Sequence, residues 1–255
     1  MIPTAFDYQR ASSLDDAIAK LTAAGGGAKL LAGGHSLVPL MKLRLSEPQL
    51  LVDIGRLKDL AGVREKDGAI QIGAATTHHD IATSSLLAER CRVLADAAVM
   101  LALDAEIHVK GPNGWRKIRA ADFFQNLFTV DLGPNEIIAG VQFAPVRTAA
   151  YAKLHQRASH FAIVGVAAAL ELDGGTIRGA RLGLTGASTH GQRLTAVEQA
   201  LAGKPATAET IRAAARGAGA DLETVNADIH ASEEYRRAMI PVFTKRALDA
   251  ALARG

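Results

Sequence analysis

Apolar positions in the first half of the chain come in short runs closed by glycine, as covered strands do; in the second half they lengthen into alanine-rich helical periods. Ser12-Ser13-Leu14-Asp15-Asp16 has the serine caps and early acids of a helix start, with Leu14, Ile18 and Leu21 on one face and Gly25-Gly26-Gly27 as its stop. Lys29-Leu30-Leu31 reads as a strand that breaks at Gly33-Gly34 and restarts as a helix, and Gln49–Ile54 reads as another strand. Val63–Ile72 is a hairpin turning at Asp67-Gly68, and Thr77 and Asp80 have capping-box spacing. Leu86–Ala98 predicts a helix that contains Cys91, and Gly111-Pro112-Asn113-Gly114 a turn between strands Ala105–Val109 and Trp115–Arg119. Asp122–Phe128 is a short helix or a loop, and Glu136–Phe143 a strand. Beyond Pro145, strands Tyr151–Arg157, Val164–Leu172 and Thr176–Leu184 precede helices at Leu194–Leu201, Ala208–Ala218 and Ser232–Ala253, the last expected to kink at Pro241. The pattern predicts an α+β chain in three parts, 1–55, 56–145 and 146–255.

The glycine pair at Gly33-Gly34 is the candidate ligand site. Glycine there frees the backbone for positive φ and leaves no Cβ between main chain and ligand, while Ser36 is suited to cap the following helix. Unpaired N–H groups at a helix start suit a phosphate or pyrophosphate; the plain alternative is a tight strand-to-helix turn with no ligand. His78-His79 tempts a metal reading, but adjacent histidines diverge on a helix and no third ligand stands at a supporting spacing.

Composition narrows the classes. Hydrophobic residues make up 49% and charged residues 22%, a globular profile. Aromatics at 4% give few rings for stacking on single-stranded nucleic acid, and a net charge of +3 from scattered basic residues gives no nucleic-acid patch. The single Cys91 allows neither an intrachain disulfide nor a cysteine-held iron–sulfur cluster within the chain. The N-terminus lacks a signal-peptide layout and the longest apolar run, Phe161–Leu170, is too short to span a bilayer, so no transmembrane segment and a cytoplasmic location are expected.

Taken together, Ala32–Arg44, Leu51-Val52-Asp53-Ile54, Ile72-Gly73-Ala74 with Thr76-Thr77-His78, Phe161–Ala167 and Ala231–Arg237 resemble the FAD-binding medium subunit of the molybdenum hydroxylases, the xanthine dehydrogenase and aerobic carbon monoxide dehydrogenase family. The resemblance runs nearly the whole chain in order. It implies two small α/β FAD-binding subdomains of the PCMH type, then a C-terminal α+β domain with antiparallel sheet and helices. It implies FAD as cofactor, with Leu31, Ala32, Gly33, Gly34, His35, Ser36 and Leu37 around its pyrophosphate, Ile138 beside the flavin through its backbone and Lys153 near the ring. His35 either stacks or hydrogen-bonds at the cofactor or packs on the loop, and Lys153 is either a flavin neighbour or a solvated strand lysine. The implied partners are a large molybdenum-cofactor subunit and a small subunit with 2Fe-2S clusters, assembled as a dimer of heterotrimers. Electrons would pass from the clusters through FAD to an external acceptor.

One departure stands against these matches. The family carries a second glycine motif, a Thr-Ile-Gly-Gly-type loop, where this sequence joins Ala98 directly to Val99. Either the loop is deleted or the sequence as read omits residues; the second is expected, because deletion would bare flavin surface and strand ends. Deletion would favour a structural subunit that keeps its partners and binds no flavin. A nucleotide-phosphate binder using only the first loop is a third reading.

Overall fold

The computed structural model describes residues 2–91, 93 and 100–255. The first fifty-odd residues build a parallel sheet in the order β1-β3-β2, from β1 (Asp7–Arg10), β2 (Ala28–Leu31) and β3 (Leu50–Asp53). Helix α1 (Leu14–Ala23) covers it through Ala17, Ile18 and Leu21, and Ser13 caps it by accepting the Asp16 N–H at 3.1 Å. Helix α2 (Leu37–Lys42) follows β2 across the glycine loop. All three parallel strands therefore end on the same edge, the edge where open α/β sheets bind ligands.

The second sheet is antiparallel. It runs β4 (Val63–Lys66), β5 (Ala69–Gly73), β10 (Ile137–Phe143), β6 (Glu106–Gly111), β7 (Gly114–Arg119) in space. The expected turn at Asp67-Gly68 is present, with both residues at positive φ. Helices α3 (His78–Thr83) and α4 (Ser85–Arg90) follow β5, and Thr77 and Asp80 form the full capping box of α3. Helix α4 is shorter than the expected Leu86–Ala98, ending at Arg90 with buried Cys91 just past it; residues 92 and 94–99, including the Ala98–Val99 junction, lie outside the described residues.

Where the sequence left a choice between helix and loop, the structure has one turn of helix, α5 (Ala120–Phe123), and a small hairpin, β8 (Phe124–Asn126) with β9 (Thr129–Val130). Its base is fixed from outside. Arg116 of β7 donates to Glu136 and to Asp131, which follows β9, at 2.7–2.9 Å, so a long-range fork rather than local propensity sets the strand pairing.

The third sheet joins β11 (Ala149–His155), β12 (Ala162–Asp173), β13 (Thr176–Thr185) and β14 (Gln192–Arg193), with β15 (Lys204–Pro205) on β13. Helices α6 (Thr195–Leu201), α7 (Ala208–Ala215) and α8 (Glu233–Leu252) pack the largest apolar core of the chain against it. Helix α8 continues through Pro241, starts at the Ser232 cap and buries Ile240, Phe243, Ala247 and Leu248. Arg236, 3% exposed, ties α8 to the sheet: it donates to Ile163 O at 2.7 Å, Gly186 O at 3.0 Å and Asp228 Oδ2 at 2.6 Å. Among the described residues no helix is long and apolar enough to cross a membrane.

Candidate functional site

The loop from Ala32 to Leu37 leaves the carboxyl end of β2 with its backbone donors unspent. Among the described residues, none of the six N–H groups of Ala32, Gly33, Gly34, His35, Ser36 and Leu37 has a protein acceptor, although the carbonyls on either side are used. Leu31 O accepts from Ile54 N at 2.9 Å and Gly34 O from Val38 N at 3.0 Å, which fixes both ends of the loop. Gly34 has φ +74°, and a Cβ there would stand 3.0 Å from Val38 Cγ2, so both strain and crowding keep this position glycine. Gly33 is different. A Cβ there would meet only His35 Cδ2, at 3.5 Å, so the protein itself does not require glycine at this exposed position.

Ser36 departs from expectation. It stands at the N-cap of α2 but has φ −97° and ψ −47°, and its side chain caps no helix N–H. With helical backbone at the cap, the hydroxyl is not aimed back at the first turn. Because α2 has only six residues, the donors of the loop, rather than a long helix dipole, supply the pull on an anion. His35 is exposed, with its ring edge beside Gly33.

The neighbouring strand end supports the loop. Asp53, at the end of β3, accepts the Gly55 N–H at 2.8 Å and the Tyr8 hydroxyl, and Arg10 Nε lies 3.6 Å away. The Tyr8 hydrogen bond, then the Gly55 and Arg10 contacts, hold the Asp53 carboxyl below its ordinary range against the opposing effect of burial. A Cβ at Gly55 would stand 3.1 Å from Ala32 O, so β3 and the loop approach closely here. Sequence reasoning met Asp53 only inside a longer motif and missed Gly55; a carboxylate two residues before a glycine at a strand end was the signal that could have found them.

Ile138 lies on β10 opposite Val109, and the ladder shifts register between Ile138 and Gly140. Such bulges re-aim a strand locally. Its neighbour Ile137 packs with Leu30 and Val52 in the core of the first sheet, so β10 brings Ile138 alongside the unit that carries the loop. Lys153 sits on the third sheet, half-buried on β11 opposite Gly165. Sequence reasoning passed over its neighbour Tyr151. The Tyr151 hydroxyl lies over Gly165, where a Cβ would overlap it, so glycine on β12 makes room for a phenol beside Lys153. The i, i+2 spacing of Tyr151 and Lys153 on one strand face was the signal. His78 and His79 are exposed, and among the described residues no three His, Cys, Asp or Glu side chains converge as a metal set.

A flavin dinucleotide fits this loop on two counts: the donors are unpaired, and Gly33 leaves open the volume that a Cβ would fill.

The sequence matches the family described as the FAD-binding domain in molybdopterin dehydrogenase over residues 4–99 and 94–145, and the CO dehydrogenase flavoprotein C-terminal domain over residues 149–251. It is 34% identical to the carbon monoxide dehydrogenase medium chain of Hydrogenophaga pseudoflava, with 100% of this chain and 99% of that one covered. It is 32% identical to the 6-hydroxypseudooxynicotine dehydrogenase complex subunit alpha of Paenarthrobacter nicotinovorans, over 100% and 97% of the two chains. A solved structure of the Hydrogenophaga pseudoflava carbon monoxide dehydrogenase superimposes with a TM-score of 0.93 over 100% of this chain and 99% of that one. The alignment is also longer than this chain. Its 286 positions hold only 255 residues of this chain, so at least 31 are gaps, and the first family match breaks into two pieces that meet at residues 94–99. Ala98 and Val99 are consecutive in the sequence, at the point where the family match breaks.

Proposed function

This chain belongs to the FAD-binding family of the molybdopterin dehydrogenases and is an oxidoreductase subunit of that kind, and from that premise we propose that it is the electron-transfer subunit of a multi-subunit molybdenum hydroxylase. FAD supplies two-electron redox chemistry when bound. The six unpaired N–H groups of residues 32–37 carry the reading, by gripping the diphosphate that joins the two halves of the cofactor. Ile138 borders the flavin through its backbone, and Lys153, with Tyr151 beside it, places a cation near the ring, where it favours added electron density. The three sheets support the division 1–55, 56–145 and 146–255.

The chain has one cysteine, so iron–sulfur clusters and the molybdenum centre belong to a small and a large partner subunit, and with them the choice of substrate. We take the assembly to be a cytoplasmic dimer of heterotrimers. Exposed Leu43 and Leu45 after the loop, Leu127 and Phe128 at the tip of the β8–β9 hairpin, and Tyr235 and Val242 on α8 are apolar surface available to those partners.

The short junction at 94–99 favours a second reading, a structural subunit that keeps these contacts without flavin, because the missing positions fall within the FAD-binding domain. Purifying the native complex and releasing its cofactors separates the two. The first reading expects one FAD per copy of this chain, with iron and molybdenum in the same complex; iron and molybdenum without flavin would establish the second.

A further inference from the structure

A cavity of about 220 Å³ opens between the start of α1 and the polar face of the second sheet, and none of residues 31–37, 138 or 153 lines it. His108 and Lys110 alternate with buried Ile107 and Val109 on β6, so both point to that polar face. Strand pairing sets Lys110 opposite Trp115 and His108 opposite Lys117, while Arg64 stands on β4 opposite Gln71. His108, Lys110, Trp115, Arg64 and Gln71 all line the cavity.

The Nε2 of His108 is buried and has no hydrogen-bond partner among the described residues. The nearest carboxylate oxygen, Glu106 Oε2, is 4.0 Å away and already accepts from Lys117 at 2.8 Å. A buried polar atom left unmade carries a desolvation cost that a ligand can relieve. Arg64 spends its Nε on Gln71 Oε1 at 3.2 Å, and its terminal N–H groups have no acceptor among the described residues. Asp15 is taken by Lys110 Nζ at 2.5 Å, with the same ammonium 5.3 Å from the Trp115 ring centre. Burial, followed by the cations of Lys117 and Arg64, pushes the His108 imidazole below its ordinary range, and only Glu106 opposes them. The field at His108 is therefore positive, the Asp15–Lys110 pair cancels, and Asp59 leaves one carboxylate elsewhere on the wall.

We infer that this cavity is a second ligand site, separate from the flavin loop, which takes a small ligand with one anionic group, phosphate or carboxylate, on His108 Nε2 and the terminal N–H groups of Arg64. The volume is below that of a site for a large cofactor, and the Leu60, Ile72 and Trp115 walls suit a compact body behind the charge.

Trp115 is the single tryptophan of the chain and lines the cavity, so its emission reports on occupancy. The full chain is titrated with inorganic phosphate and, separately, with acetate at constant ionic strength, following Trp115 fluorescence and the His108 ring proton by NMR. A saturable change in both signals for at least one anion is expected. Arg64→Gln should weaken it at least tenfold, and Gly33→Val should leave it in place. No saturable change with either anion overturns the inference. So does a change that survives Arg64→Gln and disappears in Gly33→Val, which would assign the anion to the flavin loop.

Discussion

The chain holds two glycine pairs beside strand ends, Gly33-Gly34 and Gly174-Gly175, and they do opposite things. At Gly174-Gly175 both residues have positive φ, a Cβ on either would meet nothing within 4 Å, and the pair closes the β12–β13 hairpin whose ladder begins at Asp173 and Thr176. Its Gly175 carbonyl accepts from Ala206 N at 2.8 Å, so the turn is absorbed into the sheet. At Gly33-Gly34 only the second glycine has positive φ, and the six donors that follow β2 are left unspent. A run of six successive unpaired donors after a strand is what sets the first pair apart; two glycines that only close a hairpin ladder are architecture.

Substitutions should separate the two. Gly33→Val carries the largest expected effect, at least a hundredfold weaker FAD binding measured by flavin absorbance on the retained protein, with the thermal midpoint nearly unchanged because a Cβ there meets only the edge of His35. Asp228→Ala should do the reverse. It strips the partner from the buried Arg236 guanidinium and should cost about 2–3 kcal/mol in urea unfolding while flavin affinity stays within twofold. Gly175→Val, at φ +83°, should cost about 1–2 kcal/mol through left-handed strain alone, again without changing flavin affinity. A loss of flavin in either of the last two would erase the contrast between the pairs.

The smallest effect is a dependence on pH. His108 is held below its ordinary value, so its neutral form is the one the fold favours. Its contribution is therefore complete above about pH 6.5, where the unfolded imidazole is also neutral, and is lost as pH falls toward the lower folded value. In buffers free of phosphate and carboxylate, His108→Gln should flatten the fall in stability below that pH; an unchanged slope would show that His108 is not the group responsible.

Local chemistry made much of this legible. The Ser13 cap, the Thr77–Asp80 box and the Asp67-Gly68 turn all lie within a few residues of the elements they start or join, and the structure has each of them. The glycine loop was legible for the same reason. What escaped depends on distant partners. The β8–β9 hairpin is set by Arg116 on β7 reaching Asp131 and Glu136, and no propensity of Phe124–Val130 contains that. Tyr151 matters only because Gly165 lies across the ladder from Lys153, and the second cavity only because several strands and a helix start meet. Ser36 failed as a cap because its own backbone is already helical, which residue type alone does not reveal.

The grip of residues 32–37 on a diphosphate is tested by comparing FAD with riboflavin, which has the same ring system and no phosphate. In titrations of the cofactor-free chain with each, FAD is expected to bind at least tenfold more tightly than riboflavin. Equal affinity for the two would contradict it, because the unpaired amides would then be contributing nothing to the flavin.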